Sequence, residues 1–191
     1  MPDEPIRCSW CGNDPLYQAY HDQEWGQPQH DDRHLFEMLI LEGAQAGLSW
    51  ITILRRREGY RRVFHHFDPQ RVAVMSDDAL AQALQDPGII RNRQKVASAR
   101  DNARAFLAIQ AQHGSFDRWL WDHVQGQPVV RPPAAREHLA TSPLSDQISR
   151  ELKKAGMRFV GSTIIYAYLQ ATGVVNDHMP DCFLHPQHRL G

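Results

Sequence analysis

Helical spacing of the apolar residues is the feature that most constrains how this chain can fold. In nearly every segment they recur at i, i+3, i+4 and i+7, and no run alternates apolar with polar as a half-buried strand would. An amphipathic helix must bury its apolar stripe against other helices, so the pattern predicts an all-α fold. The chain has 191 residues, enough for one substantial domain, and residues 1–191 are read as a single domain of two helical lobes with a cleft between them.

Capping and turn residues place the elements. Asp31 caps a helix running to about Gly43, on which Leu35, Met38, Leu39 and Glu42 share one face, so an acid falls on an apolar stripe. Ser49 opens a second helix to about Arg57, and Asp68-Pro69 and Ser76-Asp77-Asp78 each open a short one. The turn at Asp86-Pro87-Gly88 leads into a long helix to about Gln112, and Gly114-Ser115 restarts the chain as a helix containing Trp119 and Trp121. Residues 125–143 carry Gly126, Pro128, Pro132, Pro133 and Pro143, which predicts an irregular crossing. Beyond it, residues 144–171 form a compact unit: a helix over Leu144–Ala155, the connection Gly156-Met157-Arg158-Phe159-Val160-Gly161, and a helix from Ser162 to about Ala171.

Composition narrows the class. Hydrophobic residues at 42% and charged residues at 23% exclude collagenous, low-complexity and disordered chains. No apolar run approaches the roughly 18 to 20 residues of a membrane span, and the opening MPDEPIRC lacks the features of a signal peptide, so a cytoplasmic protein with no membrane partner is expected. Three cysteines, an odd number, argue against a disulfide framework and turn attention to metal. The net charge of −1 hides an asymmetry: residues 1–50 carry nine acids against Arg7 and Arg33, so the remainder is basic.

Three groups of residues could carry chemistry. Cys8, Cys11 and His21 near one end and His178 and Cys182 near the other could supply a Cys2His2 zinc site that staples the termini together; buried free cysteines are the alternative. The first turn at Gly161, Ser162 and Thr163 offers free backbone N–H groups, with Lys153, Lys154 and Arg158 close by, a pattern suited to a nucleic-acid phosphate or to an ordinary solvated hairpin. Basic clusters at Arg55–Arg62 and Arg91–Arg104, the latter with Lys95, are less specific, although Lys95 is read with Lys153 and Lys154 as a phosphate contact. Trp10, Tyr17, Tyr20, Trp25 and Trp50 crowd around the helix bearing Glu42, and such rings either pack a core or form a slot for an extruded nucleobase.

Together the motifs Cys8-Ser-Trp10, Asp14-Pro-Leu-Tyr17, Tyr20-His-Asp22, Glu24-Trp-Gly26, Leu41-Glu-Gly-Ala-Gln-Ala-Gly-Leu-Ser-Trp50, Asn176-Asp-His178 and Cys182 closely resemble the DNA-3-methyladenine glycosylase I family over about residues 7–182. The resemblance implies a helix–hairpin–helix DNA glycosylase fold, with residues 144–171 as that unit and a structural zinc joining the terminal segments. It implies that Cys8, His21, His178 and Cys182 are the zinc ligands and that Cys11 is not. It further implies that Glu42 reads the base and is the catalytic-site acid, with Tyr17, Tyr20, Trp25 and Trp50 as substrate-binding rings. Lys153, Lys154, Gly156, Arg158, Gly161, Ser162 and Thr163 would then contact double-stranded alkylated DNA. The implied activity is monofunctional hydrolysis of the N-glycosidic bond, releasing 3-methyladenine and leaving an abasic site, by a protein expected to be a monomer. A noncatalytic DNA-binding module and a zinc-dependent hydrolase of a small substrate are the competing classes. Asp177, beside His178, is expected to orient that ligand or cap a helix end rather than to stabilise the sugar.

Overall fold

The computed structural model describes residues 4–132, 134 and 139–188. Ten α-helices are described: α1 (Pro15–Gln23), α2 (Asp32–Gln45), α3 (Trp50–Leu54), α4 (Arg57–Val63), α5 (Pro69–Ala73), α6 (Asp77–Ala83), α7 (Arg93–His113), α8 (Phe116–Asp122), α9 (Pro143–Lys154) and α10 (Ser162–Ala171). Their starts follow local chemistry. Asp14, Asp31, Asp68, Ser76, Asn92, Ser115 and Ser142 each accept a hydrogen bond from a first-turn backbone N–H, satisfying donors that have no partner within the helix.

Helix α2 runs through the centre of the molecule. It is buried continuously from Leu35 to Ala44, so its apolar face is wider than a single stripe, and Glu42 is enclosed with it. The 21-residue helix α7 packs on α5 and α2 through Val96, Ala99, Ala103 and Phe106. Small side chains there let the helices approach closely, while Phe36, Phe106 and Phe116 fill the space beyond. The pair α9 and α10 buries Ile148, Leu152, Ile165, Tyr168 and Leu169, and α10 also packs on α2.

Two departures from the sequence-based expectation bear on the site. The helix expected over Ser49–Arg57 stops at Leu54 and restarts as α4, whose first residue, Arg57, turns inward to bridge two acids. Within residues 125–143, Val129–Val130 (β1) pairs in parallel with Val175–Asn176 (β2), with Val129 opposite Val175. Two residues are too few to show a period of two, so this pairing left no alternating pattern to read. It sets Arg131 beside Asp177, and the Arg131 N–H donates to the Asn176 carbonyl at 2.9 Å. Among the prolines of this stretch, Pro133 lies outside the described residues.

Candidate active site and metal centre

Segments near the two termini meet. The Phe183 N–H donates to the Ile6 carbonyl at 2.9 Å, and the adjoining residues bring Cys8, His21, His178 and Cys182 into one buried group whose ligand atoms lie within 4.8 Å of one another. Cys8 Sγ stands 3.6 Å from His178 Nδ1, and Cys182 Sγ stands 3.5 Å from His178 Nδ1 and 3.4 Å from His21 Nε2. Zinc bonds of about 2.3 Å to sulfur and about 2.0 Å to nitrogen put tetrahedral ligand atoms roughly 3.3 to 3.8 Å apart, so the donor set fits that ion. Both imidazoles are oriented from behind. His21 Nδ1 meets Asp22 Oδ1 at 2.8 Å, Asp22 is held in turn by Arg7, and His178 Nε2 meets the Trp25 carbonyl at 3.2 Å. Gly26, at φ 75°, is required here twice over, because a Cβ would also fall 2.9 Å from His178 Nε2.

The hydrogen bond to Cys8, helped by His178 and His21, holds the Cys182 thiol far below its ordinary range, and the same contact together with burial pushes Cys8 up. Cys11 is turned away, its thiol donating to the Cys8 carbonyl at 3.1 Å.

Directly against this group lies a cavity of about 230 Å³ lined by Trp10, Tyr17, Tyr20, Trp25, Glu42, Gln45, Trp50, Leu139, Ala167, Gln170 and Asp177. Its volume is below the roughly 300 to 1,000 Å³ of drug-sized sites and suits a single small planar molecule. Helix α1 supplies Tyr17 and Tyr20, α2 supplies Glu42 and, three residues on, Gln45, and α3 begins with Trp50. The rings brace one another: centroids are 4.9 Å apart for Trp10 and Trp25, 5.0 Å for Trp10 and Tyr17, and 5.4 Å for Tyr20 and Trp50. The cysteine–histidine group buttresses the wall, with His178 edge-on to Trp25 at 4.7 Å and His21 edge-on to Trp10 at 5.3 Å.

Four polar atoms of the residues lining this cavity have no hydrogen-bond partner among the described residues: Glu42 Oε2, Tyr20 Oη, Trp10 Nε1 and Trp50 Nε1. Buried polar groups are ordinarily satisfied, so this cluster marks a place prepared for a polar ligand. Glu42 is 4% exposed and burial alone pushes its carboxyl up to about 8. Burial, and after it the Glu42 charge, also raises Tyr20 and Tyr17.

Asp177 lines the same cavity rather than serving His178 or a helix end. Its Oδ1 accepts from Arg131 Nε, and its Oδ2 accepts from Tyr166 Oη at 2.9 Å and Gln170 Nε2 at 2.6 Å. The residues that orient the imidazoles are Asp22 and the Trp25 carbonyl instead. Asp177 and Leu139 also border a neighbouring cavity of about 700 Å³ with mostly apolar walls, so Asp177 stands where the two adjoin. Gln45 could have been found from its i+3 spacing to Glu42; Gln170 and Leu139 carried no such signal.

The basic residues divide. Lys153, Lys154, Gly156 and Thr163 are exposed around the turn between α9 and α10, and Gly161 is half-buried. Arg158 is exposed but bonds Asp101 at 2.7 Å, and the Ser162 hydroxyl donates to Asp146 at 2.5 Å. In the cluster at 55–62, four arginines pair with acids, Arg55 with Asp14, Arg57 with Glu24 and Glu37, Arg61 with Glu37 and Glu58, Arg62 with Asp86, and Arg56 donates to the Thr52 carbonyl at 3.0 Å. Lys95 is not a free phosphate contact either. Its Nζ donates to the Ala44 and Ala46 carbonyls at 2.8 and 2.6 Å, capping the end of α2.

Comparison with known proteins gives the family. A family model described as methyladenine glycosylase matches residues 10–185. The chain is 48% identical over 181 residues to DNA-3-methyladenine glycosylase 1 of Escherichia coli K12, covering 94% of this chain and 97% of that protein. It is 42% identical over 177 residues to DNA-3-methyladenine glycosylase of Haemophilus influenzae, covering 92% and 96%. A crystal structure of a 3-methyladenine DNA glycosylase I superposes with a TM-score of 0.91 at 50% identity, covering 95% of this chain and all of that one. The Staphylococcus aureus enzyme, studied for its recognition of 3-methyladenine, superposes with a TM-score of 0.89 at 35% identity, covering 92% and 94%. The chain belongs to the methyladenine glycosylase family.

Proposed function

We propose that this protein excises 3-methyladenine from alkylated double-stranded DNA by hydrolysing the N-glycosidic bond, leaving an abasic site, and that Glu42 and the surrounding rings receive the extruded base. The observation that carries this reading is the buried carboxyl of Glu42, unpartnered in the wall of a ring-lined cavity. Methylation at N3 makes adenine cationic and weakens its bond to deoxyribose, so the base departs neutral and much of the activation resides in the lesion. The protein then supplies extrusion, selective binding and admission of water. Stacking on Trp10, Tyr17, Tyr20, Trp25 or Trp50 favours a cationic base by roughly 0.5 to 2 kcal/mol per well-placed contact.

Glu42 acts in recognition. In the empty cavity its carboxyl is held near 8 and is protonated at neutral pH; an incoming cation lowers that value and draws out the carboxylate, which accepts hydrogen bonds from the base. During cleavage positive charge leaves the base for the sugar, so a carboxylate beside the base stabilises the ground state at least as well as the transition state. Selectivity, rather than acceleration, is what such a group provides.

Cys8, His21, His178 and Cys182 would hold zinc, which would cross-link the chain ends rather than activate water, because four protein ligands leave no open position. Residues 144–171 serve as the helix–hairpin–helix unit. Lys153, Lys154 and the first-turn N–H groups of α10, around Gly161, Ser162 and Thr163, take the phosphate backbone, with Gly156 and Arg158 at the connection. For Ser162 and Arg158 this requires exchange of their Asp146 and Asp101 contacts. The reading includes a monomeric cytoplasmic enzyme whose two helical lobes flank the cleft; among the described residues no helix is long and apolar enough to cross a membrane. The decisive assay incubates the protein with alkylated duplex and separates the products by chromatography. Free 3-methyladenine is expected; retention of DNA with no released base overturns the proposal.

A further inference from the structure

The connection between α9 and α10 is pinned directly to the helix that carries Glu42. Phe159, in the middle of the connection, holds a φ of 57°, a left-handed conformation that a bulky residue keeps only when its surroundings impose it. Those surroundings are on two sides. Toward α2, a Cβ built on Gly43 would stand 3.2 Å from Phe159 Cβ and 3.3 Å from its carbonyl oxygen, so glycine directly after Glu42 is what lets the connection lie against the helix. Toward α7, Asn102 is 3% exposed and closes a reciprocal pair with Arg158: its amide nitrogen donates to the Arg158 carbonyl at 2.9 Å, and its oxygen accepts from the Arg158 N–H at 2.8 Å. Lys95, two turns earlier on α7, holds the carbonyls at the end of α2. One long helix therefore grips both the connection and the end of the Glu42 helix.

We propose that Gly43 and Asn102 are positioning residues that fix the register between the strand-holding connection and the base-recognising carboxyl of Glu42. The inference rests on the reading of residues 156–161 as the DNA-binding hairpin. An extruded nucleotide is a short tether: its base must reach Glu42 while its neighbouring phosphates stay on the connection. An error of about 1 Å in such an arrangement can cost up to about a hundredfold in rate. Seating the connection on Gly43 makes the distance a property of one packed contact instead of the sum of several interfaces.

The test uses the full-length, metal-loaded protein as Gly43→Ala, Asn102→Ala and the double variant Lys153→Ala/Lys154→Ala. Four quantities are measured: affinity for free 3-methyladenine, affinity for a duplex carrying a stable abasic analogue and its salt dependence, single-turnover excision at saturating duplex, and thermal midpoint. Gly43→Ala must push Phe159 by a few tenths of an ångström, while alanine is the better helix former; the midpoint reads the balance of these two effects, and a glycine with no positioning role would leave excision intact whichever way the midpoint moves. We expect free-base affinity within twofold of wild type, and a single-turnover rate lowered about tenfold or more, in both Gly43→Ala and Asn102→Ala. Excision within twofold of wild type in both, or free-base affinity falling in parallel with excision, overturns the register. The lysine pair keeps the two readings apart. Weaker duplex binding with a shallower salt dependence upholds the hairpin even where the register fails, whereas unchanged duplex affinity removes the hairpin and the register with it.

Discussion

Replacing Glu42 with glutamine isolates the energetic consequence of burying an unpartnered acid. The carboxyl is 4% exposed, and burial lifts it from 4.5 to about 8. The folded protein thus binds this proton more tightly than the unfolded chain. Its contribution to stability is complete below pH 4.5 and is lost progressively as the pH rises through 8. At about 1.4 kcal/mol per pH unit, the loss reaches about 3 kcal/mol at pH 7 and levels near 5 kcal/mol above pH 8. Glutamine has nearly the same shape and no such proton. The stability gap in favour of Glu42→Gln should therefore open from near zero at pH 4.5 to those values, read as urea midpoints of the two proteins without ligand at equal metal loading. A gap that does not change with pH refutes the burial argument. The same substitution should weaken binding of free 3-methyladenine, since it replaces an acceptor oxygen with a donor; unchanged affinity by calorimetry removes residue 42 from the recognition site.

Metal analysis should find one zinc per chain, lost on Cys8→Ser, His21→Ala, His178→Ala or Cys182→Ser and retained on Cys11→Ser, whose thiol faces away from the other four; equal loss from Cys11→Ser would redraw the ligand set. Asp177→Asn weakens the contacts to Arg131, Tyr166 and Gln170 and should lower the midpoint of chemical denaturation while leaving single-turnover excision within a few-fold of wild type. A larger loss of rate, with binding intact, would assign Asp177 a direct part in stabilising the sugar. Borohydride trapping during turnover should yield no covalent protein–DNA adduct, because none of the described residues lining the cavity is a lysine that could act as an amine nucleophile, and a trapped adduct would contradict monofunctional hydrolysis.

Much of the framework was legible in the chain itself, because helix periodicity and capping are local. Asp31, Asp68-Pro69, Ser76 and Ser115 each start a helix where their side chains can satisfy first-turn donors, whatever lies across the core. Glu42 stood out for a similar reason: an acid on an apolar stripe is a local conflict, visible before any packing is known. What residue order could not decide was partnership. Cys8-x2-Cys11 is a plausible ligand pair by spacing, and residue chemistry alone left the choice open; in three dimensions Cys11 is excluded because the chain turns it back onto the Cys8 carbonyl. Five arginines within eight residues look like a nucleic-acid face, yet four meet acids from elsewhere in the chain, and Arg57 does so in the interior. Lys95 had the appearance of a phosphate contact until α2 was found to end beneath it. Asp177 was drawn by adjacency toward His178, but a two-residue strand pairing sets it against Arg131 and into the cavity. Periodicity and capping depend on neighbours within a few residues and are determined by sequence alone. The fate of a charge depends on what the fold brings from far along the chain, which only the tertiary structure decides.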